Sequence, residues 1–370
     1  MSQTELMNKK EILLNPGPVT LTERVRSALT RQDMCHREQE FADLTLSIKK
    51  RITEIYADAI NDYHTVILSG SGTCAVESML NTLAPQNSTT LVAANGVYGE
   101  RMANMLRAAN RPSLEIKGNW EEAIDLNLVE QHLKENKNIT HVVTVHNETT
   151  TGRLNDMSPL AELCKKYNKA FMIDAVSSFA GEELLFEQWQ PLAVAATANK
   201  CLHAVPGMAF ALVKTDHLKN AESQSQTLYL DLFRYYKEQL NGFSPFTQAV
   251  HAAFALDEAL NELTDIGGWQ ARHKRYQILS HELQDTFPSL GMPLYLDKKD
   301  YSSMITAFHL PKSWNYEKLH DLLKSEGFVI YAGQGNLQSI LFRIANMGDI
   351  SDADWQRLIN IFRNKVCNND

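Results

Sequence analysis

The sequence predicts an α/β protein: a mainly parallel central sheet flanked by helices, followed by a smaller α+β C-terminal domain. Three observations carry that expectation. Between about residue 64 and residue 214, short β-branched and apolar runs alternate with amphipathic stretches, the order expected of successive βα units. The pair Gly267-Gly268 interrupts a helical pattern and marks a change of architecture. The length of 370 residues, with 44% hydrophobic and 22% charged residues, supplies material for two cores.

In chain order, residues 1–20, with Pro16-Gly17-Pro18, read as an extended N-terminal arm lying over another part of the molecule. Residues 21–267 form the expected large domain. Its strands are expected at Thr65–Leu68, Thr90–Ala94, His141–His146, Ala170–Ile173, Val194–Thr197 and Ala209–Val213, with helices following Gly72, Gly99, Ser158 and Ser177. A Tyr/Leu/Phe-rich stretch after Gln224 leads into a helix over Ala249–Leu263. Residues 268–370 form the expected small domain. It opens on a long helix, Trp269–Phe287, followed by a strand at Ser303–Leu310, a helix at Tyr316–Glu326, and strands at Phe328–Ala332 and Ile340–Ile344.

Thirty-six Lys and Arg against 44 Asp and Glu leave a formal charge of −8, with no basic block, so nucleic acid is not an expected partner. The five cysteines are scattered and never spaced C-x-x-C, which fits a reducing, cytoplasmic setting and no zinc site. No run of about 18 uncharged apolar residues suggests a membrane span. His141 and His146 share one expected strand and no H-E-x-x-H occurs, so no metal is expected. A serine-hydrolase elbow, G-x-S-x-G, is also lacking.

Lys200 follows the apolar run Val194-Ala-Ala-Thr-Ala and precedes another, Met208-Ala-Phe-Ala-Leu-Val. Enclosing an ammonium lowers its pKa and makes the amine a nucleophile or Schiff-base former; an exposed loop lysine is the competing reading. Asp174 ends the strand Phe171-Met-Ile, at the sheet edge where ligands bind in parallel α/β folds. A carboxylate there suits a pyridinium nitrogen, or alternatively caps a helix beginning near Ser177. Ser71, Gly72 and Thr73 form a turn at a helix start whose N–H groups suit a phosphate. The same stretch fits a permissive dinucleotide pattern, Gly70-x-Gly72-x-x-Ala75, but the next strand ends in Asn95 rather than an acid. Tyr98 is placed to stack on a flat ring or simply to pack, and Thr149 offers a hydroxyl from what is otherwise a threonine-rich turn. Arg343, alone in an apolar strand, suits a carboxylate or phosphonate, with a structural ion pair as the alternative.

Together these segments resemble the aminotransferase class V group of fold-type I pyridoxal-phosphate enzymes over nearly the whole chain. The order runs Asn15-Pro-Gly-Pro-Val, Ser69-Gly-Ser-Gly-Thr, Asn95-Gly-Val-Tyr-Gly-Glu-Arg, His146-Asn-Glu-Thr-Thr-Thr-Gly, Ile173-Asp-Ala-Val-Ser-Ser-Phe, Ala198-Asn-Lys-Cys and Phe342-Arg-Ile-Ala-Asn-Met-Gly. The resemblance implies a fold-type I PLP transferase with pyridoxal 5'-phosphate as cofactor. Lys200 would carry it as a Schiff base and Asp174 would pair with its ring nitrogen. Ser71, Gly72 and Thr73 would hold the phosphate, Tyr98 would stack on the ring, and Thr149 would meet its phenolic oxygen. It also implies a homodimer with shared active sites, in which Ser244 or Thr247 reaches the neighbouring cofactor phosphate. Arg343, Asn15, Gly17 and Arg37 are the implied substrate-binding residues. Arg272-His-Lys-Arg-Tyr, Ile305-Thr-Ala-Phe and Gly327-Phe-Val-Ile-Tyr-Ala-Gly are similar to members that act on 2-aminoethylphosphonate and pyruvate by a ping-pong mechanism. Met34-Cys-His-Arg-Glu-Gln-Glu-Phe41 instead resembles serine:pyruvate-type relatives. Arg37 is thus expected either to supply a second cation for a phosphonate or to pair at the surface with Glu38 or Glu40. A serine, alanine or glyoxylate aminotransferase, and an aminophosphonate lyase on the same cofactor, are the alternative activities.

Overall fold

Alternation with period two writes the core into the strands. In Val66-Ile67-Leu68, Val66 and Leu68 join one buried cluster and Ile67 joins the other; Phe171-Met172-Ile173 and Val142-Val143 split the same way. A sheet whose strands are apolar on both faces must be covered on both, and helices supply the cover. The computed structural model describes residues 11–367.

In chain order the strands are β1 (Ile12–Leu13), β2 (Tyr63–Gly70), β3 (Thr89–Ala94), β4 (Ser113–Lys117), β5 (Ile139–Val145), β6 (Asn147–Glu148), β7 (Arg153–Leu154), β8 (Ala170–Asp174), β9 (Ala193–Thr197), β10 (Gly207–Lys214), β11 (Ile305–His309), β12 (Phe328–Val329), β13 (Tyr331–Ala332) and β14 (Leu341–Ala345). Seven of them form the central sheet in the order β2-β10-β9-β8-β5-β3-β4. All neighbours are parallel except β10, which runs antiparallel to both β2 and β9. The C-terminal ends of β2, β3, β5, β8 and β9 therefore open on one edge of the sheet. Ile173, in the middle of β8, is fully buried, and truncating such a residue to alanine costs about 2–5 kcal/mol.

The second sheet, β11-β14-β13, is antiparallel and packs with the helices Gly268–Thr286, Tyr316–Ser325 and Asp352–Ile361 around Phe287, Phe308, Phe342, Trp355 and Phe362. The N-terminal stretch is sewn into this layer. β1 pairs parallel with β12, Ile12 and Leu14 enter the same apolar cluster, and Ala345 donates its N–H to the Leu14 carbonyl at 2.7 Å.

Three local expectations differ from what is found. β4 was not anticipated: Ser-Leu-Glu-Ile-Lys is a half-exposed edge strand whose short alternation carries little apolar signal. No helix follows Ser177. There the backbone turns through Ala180 at φ 66°, and the Tyr56 hydroxyl both accepts from the Ala180 N–H (2.9 Å) and donates to the Glu182 carbonyl (2.6 Å). A tertiary contact has taken the groups a helix would have used, and the first helical residues are Phe186–Trp189. The expected strand Phe328–Ala332 is split at Ile330, because its first half pairs with β1 and its second with β14.

Candidate active site

The helix Gly72–Leu83 begins directly after β2. Its N-cap, Ser71, makes no side-chain capping bond, so the first N–H groups point out of the sheet edge without one. A Cβ on Gly72 would stand 2.6 Å from a Val176 methyl carbon, so only glycine lets the helix start seat against the strand beside it. Gly72, Thr73, Tyr98, Arg101, Asp174 and Val176 line one cavity together.

Asp174, at the end of β8, is 6% exposed. Its Oδ1 accepts the Val176 N–H at 2.9 Å, an Asx turn rather than a cap on a helix near Ser177. Burial pushes the carboxyl up to about 6, against that hydrogen bond and the charges of Arg101 and Lys200. Lys200 sits in the turn after β9, and its amine donates to the Pro16 carbonyl. Burial brings the amine down to about 8; the neighbouring Cys201 and Asp174 act to raise it, and Arg343 and Arg101 act with burial. Gly17, at φ 106°, lies over this lysine: a Cβ there would be 2.5 Å from Lys200 Cδ and 2.7 Å from Nζ. Asn15 is buried and shapes the same turn, donating from Nδ2 to the Pro18 carbonyl at 2.9 Å.

Tyr98 is held by a residue that sequence reasoning passed over. The helix Val97–Ala108 starts after Gly96, which has no side chain to cap it. Glu148, fully buried on β6, does so instead. Its Oε2 accepts the Tyr98 and Gly99 N–H groups, both at 3.2 Å, while Oε1 accepts the Thr150 N–H at 3.1 Å and its hydroxyl at 2.6 Å. Gly96 makes room for that carboxylate, since a Cβ would overlap it. Burial nonetheless pushes Glu148 up to about 6. The signal in the sequence was a lone acid within His146-Asn-Glu-Thr-Thr-Thr, four residues before a glycine, and it pointed nowhere without the neighbouring helix. Arg101, also passed over, places its guanidinium 4.6 Å from the Tyr98 ring centroid.

Arg343, on β14 and 2% exposed, donates from Nε to the Ala332 carbonyl (2.8 Å) and from Nη1 to the Thr149 carbonyl (2.6 Å). It thus bridges the small sheet to the turn after β5. Neither acceptor is charged, and it forms no ion pair among the described residues. Thr149 is buried in that turn, where the Asn147 amide and the Thr151 hydroxyl are buried without partners.

The remaining expected residues lie apart from this cluster. Ser244 accepts from Gln248 Nε2 at 2.7 Å, and the Ala249 N–H donates to the Ser69 hydroxyl at 2.8 Å, so this segment lies beside its own β2 end; Thr247 is exposed. Arg37 is exposed ahead of the helix Gln39–Glu54, and no ion pair to Glu38 or Glu40 is present among the described residues. Among them too, no group of three or more His, Cys, Asp or Glu is arranged to hold a metal, and no helix is long and apolar enough to cross a membrane.

An amine whose pKa burial lowers, a buried carboxylate and a bare helix N-terminus on one sheet edge form a donor set that suits a phosphorylated heteroaromatic aldehyde. The family model for aminotransferase class-V matches residues 21–350. The chain belongs to this family.

This class-V aminotransferase is 34% identical over 352 residues to the 2-aminoethylphosphonate–pyruvate transaminase of Bacillus cereus (strain ATCC 10987 / NRS 248), covering 94% of this chain and 96% of that protein. It is 35% identical over 355 residues to the bifunctional phosphonoacetaldehyde hydrolase/aminoethylphosphonate transaminase of Clostridioides difficile (strain 630). That match covers 95% of this chain, which spans only 55% of the bifunctional protein. Among solved structures, an aspartate aminotransferase of subgroup IV from Thermus thermophilus superposes with a TM-score of 0.87 at 26% identity, covering 95% of this chain and 98% of that one. The fold is that of the fold-type I aminotransferases, and the chain is an enzyme that uses pyridoxal 5'-phosphate for transamination. The residues fit that group: Gly17 leaves room for the Lys200 side chain, and the start of the helix Gly72–Leu83, open to a phosphate, lines one cavity with Tyr98 and the buried Asp174.

Proposed function

We propose that this class-V aminotransferase moves the amino group of 2-aminoethylphosphonate to pyruvate, giving phosphonoacetaldehyde and L-alanine in a ping-pong reaction. The observation that carries the reading is Arg343: a buried guanidinium, hydrogen-bonded to two carbonyls and in no ion pair among the described residues, within electrostatic reach of Lys200. Its planar fork grips a phosphonate in the first half-reaction and the carboxylate of pyruvate in the second, so one cation serves both anions in turn.

Bound pyridoxal phosphate supplies the electron sink for the charge left when the amine-bearing carbon loses its proton. Asp174 would accept the ring N–H, and pairing with that cation would favour its ionised form against the effect of burial. Gly72 and Thr73 N–H groups, with the Ser71 hydroxyl, would hold the phosphate; Tyr98 would pack against the ring and Thr149 would donate to its oxygen. Lys200 Nζ would be the group that takes the proton from the substrate carbon and gives it back. The low position of its pKa suits both tasks near neutral pH.

In this reading the protein is a cytoplasmic homodimer that binds no nucleic acid, and Ser244 or Thr247 reaches the partner's phosphate. Arg37, exposed in the single subunit, supplies the second cation for a dianionic phosphonate across the dimer. The half-reaction is the test. Adding 2-aminoethylphosphonate alone bleaches the visible absorbance of the lysine-bound cofactor, and pyruvate restores it; absorbance indifferent to the phosphonate but bleached by serine or alanine would overturn the substrate assignment. Arg37→Ala weakens the phosphonate more than L-alanine in the reverse direction, and equal effects on both would remove its role.

A further inference from the structure

The turn that carries Lys200 is not held by its own domain alone. Three groups from the small-sheet layer close on it. Arg272, on the helix Gly268–Thr286 and 5% exposed, donates from Nη1 to the Cys201 carbonyl at 2.5 Å. Tyr276, one turn further along, brings its hydroxyl within 2.5 Å of His203 Nε2, and the Gly348 N–H donates to the same nitrogen at 2.9 Å. An imidazole nitrogen that accepts an N–H is the unprotonated one, so His203 is neutral and its proton lies on Nδ1.

His203 itself stands at φ 63°, a left-handed conformation that a side chain with Cβ adopts at a cost of about 1 kcal/mol or more. Its N–H donates to the Lys200 carbonyl at 2.9 Å, which closes the turn directly on the lysine. Arg272 forms no ion pair among the described residues. Its charge therefore remains on a single backbone carbonyl, the one immediately after Lys200, in a place where burial makes such a bond strong.

The same small-domain layer carries Arg343. Immediately after β14, the buried Asn346 donates from Nδ2 to the Tyr276 carbonyl (3.0 Å) and the Ser303 carbonyl (2.9 Å), which fixes the end of that strand to the helix bearing Arg272 and Tyr276. A continuous chain of contacts thus runs from Arg343 through Asn346 and Tyr276 to His203 and Lys200.

We infer that Arg272 and Tyr276, acting through Cys201 and His203, are positioning residues that set the Lys200 amine relative to the anion held by Arg343. The inference rests on the proposed role of Lys200. The substrate's nitrogen-bearing carbon must lie under that amine while its anionic end lies on Arg343, so the distance between the two is part of the reaction geometry. A displacement of about 1 Å at such a contact lowers turnover by about 100-fold. The clasp acts on the proton transfer and leaves the grip on the anion to Arg343.

The test compares Arg272→Met and Tyr276→Phe with the unaltered holoenzyme. First, borohydride reduction must place the pyridoxyl label on the Lys200 peptide of the unaltered enzyme; if it does not, the assignment of Lys200 fails, and the inference with it. Given that label, Arg272→Met is expected to lower kcat by about 10-fold to 100-fold with KM for the amino donor within about threefold. The pH midpoint of the visible absorbance should move by about half a unit or more. Tyr276→Phe, which removes one oxygen and keeps the ring, should shift the same two readouts in the same direction by less. Should either folded variant lose thermal stability while its absorbance midpoint and kcat stay with the parent, the clasp is structural only and the inference is overturned. If Arg272→Met does not fold, Tyr276→Phe decides alone: an unmoved midpoint overturns the inference and a moved one supports it.

Discussion

Among the described lysines, Lys49 and Lys200 have both been pulled far out of water, and only the second stands at the sheet edge. Lys49, on the buried face of the helix Gln39–Glu54, is 5% exposed; its amine donates to the Gln239 carbonyl at 2.6 Å, and burial lowers it to about 7. Lys200 is less enclosed, and its amine comes down only to about 8. Judged by depression of the pKa alone, Lys49 is the more activated amine. It faces no carboxylate, no bare helix start and no arginine fork, whereas Lys200 has Asp174, Arg343 and Arg101 within electrostatic reach. Burial activates an amine; convergence on one sheet edge gives it a reaction.

The comparison breaks most sharply at Lys200 itself. Lys200→Ala should lower kcat by about 10⁴-fold or more, since in the proposed reaction one side chain supplies both the imine and the proton transfer. Pyridoxal phosphate followed by borohydride should label the Lys200 peptide and leave the Lys49 peptide unlabelled. Comparable labelling of both would show that burial suffices. Next in size is Asp174→Asn, expected to cost about 100-fold to 1000-fold in kcat. The same change should stabilise the cofactor-free protein. Asp174 has its folded pKa raised from 3.8 to about 6, so the folded state binds more protons than the unfolded state between those values, and stability falls as pH rises through them. The melting temperature of cofactor-free Asp174→Asn should therefore exceed that of the parent at pH 8 and approach it near pH 4. A parent protein equally stable at both would contradict the burial argument.

Arg343→Lys sharpens the contrast from the substrate side. Losing a charge-assisted fork costs about 1.5–3 kcal/mol, so KM for both the phosphonate and pyruvate should rise by about 10-fold to 100-fold. A rise for only one substrate would mean that the two anions use different cations. The smallest effect belongs to Lys49→Met, which should leave kcat within about twofold. With its folded pKa lowered to about 7 from 10.5, Lys49 is charged in both states at low pH and destabilises the fold most there; between those values stability rises with pH. The stability gain of Lys49→Met should be larger at pH 6 than at pH 9. The reverse order would mean that a partner for the ammonium has been overlooked.

The placement of Asp174 and Lys200 at the sheet edge was legible because Asp174 abruptly ends an apolar run and Lys200 lies between two such runs, and strand ends are where parallel sheets bind ligands. The alternation that gave β2, β5 and β8 is strong because both faces are buried; β4 is an edge with one face wet, and its signal was correspondingly weak. What sequence distance concealed were contacts. Glu148 caps a helix that begins some fifty positions earlier, and Gly17 makes room for a side chain 183 positions later. The glycine in Asn-Pro-Gly-Pro carried that information only once Lys200 was above it. The turn after Ser177 shows the reverse case, where helical propensity was overridden by one tyrosine hydroxyl.

The parallel pairing of Ile12–Leu13 with Phe328–Val329 has a consequence for synthesis. During translation Ile12 and Leu13 must wait, unpaired, until Phe328 and Val329 have left the ribosome, because the partner strand lies more than three hundred positions downstream. The Pro16 carbonyl and Gly17 reach the amine only when that late seam closes. Nascent chains are thereby kept from assembling a finished reaction centre before the fold that protects it exists.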